Sequence, residues 1–269
     1  MNRLKRKFEK YLAVATINSA NLTAYPVNLI VPLIATFLRI WVFAQLYKVS
    51  FSMIGANSVS GLTPSMTIWI LALTQCFQIS RPQLSRTIEQ EIRSGSIAHS
   101  LTKPYSYILY HYASYMGQTL HKLVVNVVPT VFFVSFLVSS PLLTWHGIFW
   151  GLVLLFLGYL LDFLISFMIG IAALWIEDVS AIIWLYGKSM FIFGGFIIPI
   201  ALLPGKFRTI AECMPFAQLY YTAASVAISF NNLLLIKSIM SQVLWITGMI
   251  TLFTIVFQRG LKHVSINGG

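Results

Sequence analysis

Long apolar runs separated by short polar segments fill the chain, and this pattern predicts membrane-spanning helices. A helix that crosses a hydrocarbon core of ~30 Å needs about 20 mostly apolar residues. Strands cross membranes only as closed barrels, whose sequences show short alternating segments and not continuous runs. We therefore expect an all-α integral membrane protein with six transmembrane spans, at approximately 25–47, 64–79, 123–143, 148–174, 181–203 and 239–257.

The composition supports a membrane protein, because 58% of the residues are hydrophobic and only 9% are charged. A soluble domain carries roughly 25% charged residues, so too few polar side chains are present to cover a water-facing globule. The net charge of +11 is typical of cations that set membrane topology. A nucleic-acid partner is therefore not expected.

The distribution of lysine and arginine predicts the topology. Thirteen of the 18 lie on the side of both termini, four lie on the other side, and Arg39 falls within the first span. The positive-inside rule then places both termini in the cytoplasm. Because that requires an even number of spans, we interpret the apolar stretch 216–230 as a re-entrant or interfacial segment on the outer face.

The N-terminal segment 1–24 is predicted to be an amphipathic helix in the membrane surface. Its apolar residues, Phe8 among them, recur on one helical face, and cations occupy the others. Such a helix directs its cations toward lipid phosphates. A plain topology anchor without a further role explains the segment equally well. The cations of this segment include Arg3, Lys5, Arg6 and Lys7.

The polar segment 81–104 between the second and third spans predicts a helix–glycine–helix element. Ile88 and Ile92 lie four residues apart, as in an apolar stripe on a polar helix. Gly95 follows in the position of a helix C-terminus, and a second short turn carries Ile97 and Leu101. A rigid element of this kind can transmit a push from a soluble partner, although a surface loop that merely caps the bundle has the same pattern.

A second polar segment, 204–232, predicts an outer lid after the fifth span. Pro199 would bend the end of that span, and Pro204 begins a turn before an interfacial helix. Pro215 ends this helix, and Phe216 begins the apolar stretch that returns. Two interpretations stay open: a gate for a departing substrate, or a structural cap that seals the bundle.

Two charges, Arg39 and Asp162, fall at membrane depth. Buried charges cost at least ~2.5–3.5 kcal/mol on insertion scales and usually face a bundle interior or a wet cavity. Asp162 is interpreted either as part of a substrate pathway or subunit contact, or as a group satisfied by a polar neighbour. It also supports an alternative function, that of an ion-coupled secondary transporter or channel, although one mid-membrane acid is few for a proton pathway.

The chain offers no catalytic, metal or cofactor site in its motifs. Gly187-Lys188-Ser189 ends like a phosphate-binding loop, but Ile182 stands where that loop requires glycine. The five histidines lack metal-ligand spacing. An enzyme is therefore disfavoured. A membrane enzyme or assembly scaffold stays a third hypothesis, which predicts a reactive constellation or none at all. We expect no cofactor in this chain, which forms a single transmembrane domain over 1–269.

Four stretches of the sequence resemble the permease subunits of ABC-2 type exporters, in particular six-span bacterial permeases without a fused ATPase. They are the first span, the element 91–104 (EIRSGSIAHSLTKP), the segment 194–221 and the basic, glycine-ended tail 259–269. Phe207 stands where the family pattern has tryptophan. The order of these stretches matches along essentially the whole chain.

The resemblance implies a type V exporter-like fold and an ABC mechanism. Two permeases, identical or homologous, would sit in the bacterial plasma (inner) membrane on a cytosolic ABC ATPase dimer that binds ATP and Mg. Segment 1–24 would be the connecting helix, and 81–104 the coupling helix. ATPase closure would drive alternating access. The resemblance assigns ATPase coupling to Ile88, Glu91, Ile92, Arg93, Gly95, Ile97 and Leu101. The translocation pathway or gate is predicted at Asp162, Pro199, Pro204, Pro215 and Phe216.

Overall fold

The structure, a computed structural model, describes residues 2–23, 27–141, 143–176 and 178–267. Regular structure in this part is helical, apart from an isolated bridge between Val59 and Leu62. The α-helices are α1 (Asn2–Thr23), α2 (Val27–Ile54), α3 (Pro64–Ile79), α4 (Leu84–Arg93), α5 (Ser96–Leu101), α6 (Tyr107–Leu137), α7 (Trp145–Ile171), α8 (Ser180–Phe193), α9 (Gly205–Cys213), α10 (Pro215–Leu219), α11 (Tyr221–Ile228) and α12 (Asn232–Asn267).

Four helices of the described part are long and apolar enough to cross a membrane, which confirms the helical membrane class. They are Leu29–Ile54, Tyr107–Leu137, Trp145–Leu174 and Asn232–Phe257. The other two predicted spans correspond to shorter helices, α3 with 16 residues and α8 with 14. The boundaries of α3 agree with the prediction because Thr63 caps the helix and Pro64 occupies its first turn.

The predicted third span, 123–143, is wrong at both ends. Helix α6 begins at Tyr107, where the Ser106 hydroxyl accepts a hydrogen bond from the Leu109 amide at 3.4 Å, and it ends at Leu137. Pro104 therefore lies before this helix. The first half of α6 is rich in tyrosine, histidine and other polar residues. Because these residues interrupt the apolar run, the run alone does not indicate that the helix begins so early.

The fifth and sixth predicted spans also differ from the helices. Helix α8 ends at Phe193, because Gly194 follows and Gly195 adopts a left-handed backbone with φ of 71°. The remainder of the predicted span 181–203 is irregular apart from a 3-10 turn at Ile200–Leu202. Helix α12 begins at Asn232 and continues to Asn267, well beyond the predicted span 239–257.

Helix α7 lies at the centre of the bundle and packs against α4, α11 and α12. Small residues make these approaches possible, as is usual between membrane helices. A Cβ atom at Gly151 would lie 2.8 Å from the Ala227 Cβ, and one at Gly158 would overlap the Leu219 carbonyl oxygen. The backbones of α7 and of the α10–α11 segment therefore touch directly.

Outward-facing apolar side chains cover α2, α6 and α12. Leu38 is 62% exposed, Phe132 67% and Leu244 70%. Apolar surface of this extent on long helices is what lipid-facing residues show. The polar and small residues, by contrast, gather around α3 and α7 in the interior.

Helix α1 runs along α6 and contacts it closely near Gly117. A Cβ atom at Gly117 would overlap the Ala15 carbonyl oxygen, and the Ser106 amide donates a hydrogen bond to the Tyr11 hydroxyl at 3.2 Å. Helix α1 therefore corresponds to residues 2–23 of the predicted interfacial segment 1–24. Met1 and Ala24 lie outside the described residues, as do the side chains of the residues assigned to the connecting helix, Arg3, Lys5, Arg6, Lys7 and Phe8.

Candidate coupling elbow and its buried anchor

Helices α4 and α5 form a bent element, which we call the elbow (residues 84–101). Gly95 joins the two helices in the left-handed region, with φ of 72°, where glycine avoids the steric cost of a Cβ atom. Gly95 occupies the N-cap position of α5, so Ser96 is its first residue and not its cap. The helix–glycine–helix pattern of the sequence is present at the predicted place.

The apolar side of the elbow packs against α7 of the same chain. Ile88 is fully buried, and a Cβ atom at Gly170 of α7 would lie only 2.7 Å from the Ile88 Cβ. Ile97 is also buried, and Ile92 and Leu101 are partly buried against the same core. The hydrophobic effect explains this burial on the nearest apolar surface, and the assignment of these four residues to ATPase coupling stays a prediction.

Glu91 faces the bundle as well, toward the first turns of α6. The Tyr107 hydroxyl donates a hydrogen bond to Glu91 Oε2 at 2.8 Å, and His111 Nε2 lies 3.3 Å from the same oxygen. Burial alone would raise the pKa of Glu91, but His111, the Tyr107 hydroxyl and Lys103 together hold it below the ordinary value. Glu91 therefore fixes the elbow to α6.

The outward side of α4 carries a polar face. Arg86, Gln90, Arg93 and Ser94 line a groove of about 620 Å³ there, together with Ser180 at the start of α8. Arg93 is 58% exposed while it donates to the buried Glu89 at 3.4 Å. Gly95 is exposed at the end of the same face. This face, which we call the elbow face, is the part of the elbow that a soluble partner can reach.

A buried ion pair anchors the base of the elbow. Arg81, which follows α3, donates to Asp162 of α7 across 3.0 Å. Tyr115 of α6 and Tyr186 of α8 each donate a hydroxyl to the same carboxylate at 2.5 Å. The guanidinium carbon of Arg81 also lies 5.2 Å from the centre of the Tyr186 ring.

These contacts satisfy both oxygens of Asp162, whose side chain is fully buried. A buried charge with a partner and several hydrogen bonds is tolerated, whereas a charge that loses its partner is strongly destabilising. One carboxylate thus ties α6, α7 and α8 to the base of the elbow. Arg39 has a different environment: it donates to the Thr36 hydroxyl at 2.8 Å.

Comparison with known protein families matches residues 30–268 to the family of ABC-2 family transporter proteins. The chain belongs to this family. A search of curated proteins finds no match. The family match covers the elbow, Asp162 and the lid, and membership implies ABC ATPase partners in general and a membrane component that is typically non-catalytic.

Apart from Asp162, the residues predicted to form a gate in this ABC-2 family protein lie at helix boundaries in the lid or just before it. Pro199 precedes the 3-10 turn, Pro204 precedes α9, and Pro215 is the first residue of α10. The Phe216 ring lies 6.1 Å from the Tyr186 ring, centre to centre. Phe216 therefore neighbours a side chain that holds Asp162, and it links the lid to the anchor.

The lid helices differ in burial. Phe207 and Ile210 of α9 are exposed, as expected of a helix on a surface, whereas Ala223 and Val226 of α11 are buried. Helix α11 packs against α3 and α7. The apolar stretch 216–230 is therefore inserted among the bundle helices and does not cover them.

The partners of Asp162, which are Arg81, Tyr115 and Tyr186, were not predicted from the sequence. The available signal was the requirement that an acid inside a span finds a cation, together with tyrosines within otherwise apolar runs. Among the described residues, no group of three histidine, cysteine, aspartate or glutamate side chains is arranged to hold a metal ion.

Proposed function

We propose that this chain is the membrane-spanning permease subunit of an ABC exporter and that separate cytosolic ATPase subunits, which bind ATP and Mg, drive it. Family membership supports the ABC assignment. Two permease subunits, identical or homologous, would pair in the bacterial inner membrane. The cargo leaves the cytoplasm or the inner leaflet by alternating access.

The attachment of the elbow carries this proposal. Ile88 fixes its apolar side to α7, Glu91 fixes it to α6, and the Arg81–Asp162 pair fixes its base. The polar elbow face remains available to a partner. Because α4 has little freedom to slide on α7, a force on that face moves α6, α7 and α8 together and not the elbow alone.

A six-span topology fits the helices if α3 and α8 complete the four long ones. Helix α3 would extend about 24 Å and α8 about 21 Å at 1.5 Å per residue, somewhat less than the hydrocarbon thickness of ~30 Å. Burial of α3 within the bundle compensates for its length, since residues 67–77 do not face lipid. Both termini and the elbow then lie in the cytoplasm, and the lid lies on the outer side.

We assign the lid the role of an exit gate in this topology. Helices α10 and α11 would re-enter the membrane from outside, where α11 packs on Gly151 of α7. Phe216 connects this segment to Tyr186, so a movement of α8 would reach the lid through two aromatic rings. The irregular segment after Gly195 supplies the break that such a movement requires.

The state of Asp162 supports the exporter over an ion-coupled transporter or channel. A coupling carboxylate exchanges its proton or ion with water during the cycle. Asp162 instead has no exposed surface, and a cation and two hydroxyls hold its oxygens. We therefore assign it a positioning role.

Co-purification with the cognate ATPase tests the proposal. We expect Arg93→Glu on the elbow face to reduce ATPase recovery roughly tenfold, because charge reversal at an interface typically weakens binding by that order or more. Arg208→Glu is the matched control: Arg208 also pairs with a glutamate four residues away, Glu212, but on α9. Equal ATPase recovery with both variants would exclude the elbow face as the docking surface.

A further inference from the structure

A polar pocket of about 280 Å³ opens between α2, α3 and α6 beside the anchor. Gln78 at the end of α3, Arg81 and Gln83 at the base of the elbow, and Lys122 and Asn126 of α6 form its polar wall. Helix α2 supplies an apolar wall. Two cations and no carboxylate line this pocket, which therefore favours an anion.

Within the described ranges, no carboxylate is paired with the charge of Lys122. Arg81 is paired with Asp162, but Lys122 takes part in none of the ion pairs of the described residues. Its side chain is half-buried. An ammonium group that leaves water without a partner is costly, so an anion bound in the pocket would lower the free energy of the folded protein.

Asn126 adds an unused acceptor to the same pocket. Its Nδ2 donates to the Ser80 hydroxyl at 3.0 Å, and that hydroxyl donates to the Cys76 carbonyl at 2.8 Å, which fixes the orientation of the amide. Asn126 is 3% exposed, and its Oδ1 has no hydrogen-bond partner within the described part of the chain. The pocket thus offers a cation to an anion and a carbonyl oxygen to a hydroxyl.

The pocket lies at the level where the bundle ends on the side of the elbow. Helix α3 ends at Ile79, which lines the pocket. Helix α1 contacts α6 at Gly117, about 7.5 Å along the helix from Lys122 at 1.5 Å per residue. Lipid phosphates lie at the ends of membrane spans, and basic pockets between such helices bind anionic headgroups.

We propose that this pocket binds the phosphate headgroup of a glycerol-bearing anionic lipid from the leaflet on the elbow side. The phosphate contacts Lys122, a headgroup hydroxyl donates to Asn126 Oδ1, and the acyl chains follow the apolar wall of α2. Phosphatidylglycerol has this chemistry. Binding at this site requires neither transport nor an ATPase.

Lipid retention by the purified full-length chain tests the site. Native mass spectrometry in detergent, with phosphatidylglycerol or phosphatidylcholine added, measures the affinity for each lipid. We expect wild-type protein to prefer phosphatidylglycerol, and Lys122→Gln to bind it about tenfold more weakly, the scale of a lost hydrogen bond to a charged group. Lys122→Arg keeps the charge and should keep the preference.

Lys206→Gln, which removes one exposed cation from α9, controls for general electrostatic attraction and should bind like wild type. Equal phosphatidylglycerol affinity in wild type and Lys122→Gln overturns the proposal. The proposal is also overturned if inorganic phosphate alone raises the melting temperature of the wild-type protein as much as phosphatidylglycerol does, because the ligand would then be a soluble anion. Lys122→Met tests whether loss of the lysine disturbs the fold. In phosphatidylcholine, the melting temperature of this variant should equal or exceed that of wild type, since the substitution removes an unpaired charge.

Discussion

The Arg81 guanidinium donates to the Asp162 carboxylate across 3.0 Å, and this contact joins the base of the elbow to the centre of α7. Asp162 has no exposed side-chain surface, while Arg81 retains 21%. The pair therefore lies where the elbow meets the long apolar helices of the bundle. Any movement of the elbow must carry Asp162 with it or break the pair.

Substitution of Asp162 should destabilise the protein strongly. Asp162→Asn leaves Arg81 without a counter-charge, and breaking a buried pair in this way costs about 3–5 kcal/mol. The double variant Arg81→Met/Asp162→Leu should recover part of that loss, because neither charge then remains buried. Thermal unfolding in detergent compares this double variant with its two single variants, Arg81→Met and Asp162→Leu. Strict additivity of the single substitutions would contradict a direct interaction.

Gly170 should be intolerant of even one methyl group. Its Cβ atom would lie 2.7 Å from the Ile88 Cβ, so Gly170→Ala must displace α4 from α7 at a cost of about 1–3 kcal/mol. We also expect weaker permease-stimulated ATP hydrolysis. Gly248→Ala is the control, because Gly248 of α12 has open space around it and should lose nothing. Similar melting temperatures for both variants would show that the approach of α4 to α7 is not close in solution.

Gly117 should determine whether α1 stays attached to α6. Gly117→Leu places a side chain where the Ala15 backbone lies, so the N-terminal helix should detach. Limited trypsin digestion after Lys10 should then be faster than in wild type, while Gly248→Leu leaves the rate unchanged. An unchanged rate in Gly117→Leu would mean that α1 is held by other contacts.

The attachment of the elbow to α6 should depend on pH through Glu91. The pKa of this carboxyl is lowered in the folded protein, so its contribution to stability is present above the unfolded pKa of ~4.3 and is lost as pH falls through the lower folded value. Melting temperatures should therefore fall more steeply below about pH 4.3 in wild type than in Glu91→Gln. Parallel pH profiles for the two proteins would contradict this role.

The sequence was sufficient for elements that have local signals. Thr63 and Pro64 mark the start of α3, and Gly95 marks the bend of the elbow, because capping and left-handed backbone conformations are properties of a few adjacent residues. Family recognition rested on such segments too. The helix start at Tyr107 was not predicted because Tyr107 and His111 pack on Phe167 of α7, a tertiary contact that hydropathy does not register.

The candidate site was less predictable, because its contacts join distant parts of the chain. Asp162 was recognised as a charge at membrane depth. Its partner, Arg81, lies 81 residues away in the sequence, so no local pattern indicates the pair. The periodicity of α4 also does not determine which surface its apolar stripe packs on. A stripe of this kind packs equally well on a partner or on its own bundle, and Gly170 decides for the bundle by providing room for Ile88.

Cysteine cross-linking at Gln90 most directly tests the claim that the elbow face receives the ATPase. In a Cys213→Ser background, which removes the exposed native thiol, Gln90→Cys should cross-link to the cognate ATPase in intact cells and resist a membrane-impermeant maleimide. Lys206→Cys on α9 should show the reverse behaviour. Labelling of Gln90→Cys from outside the cell, without a cross-link to the ATPase, would contradict the account.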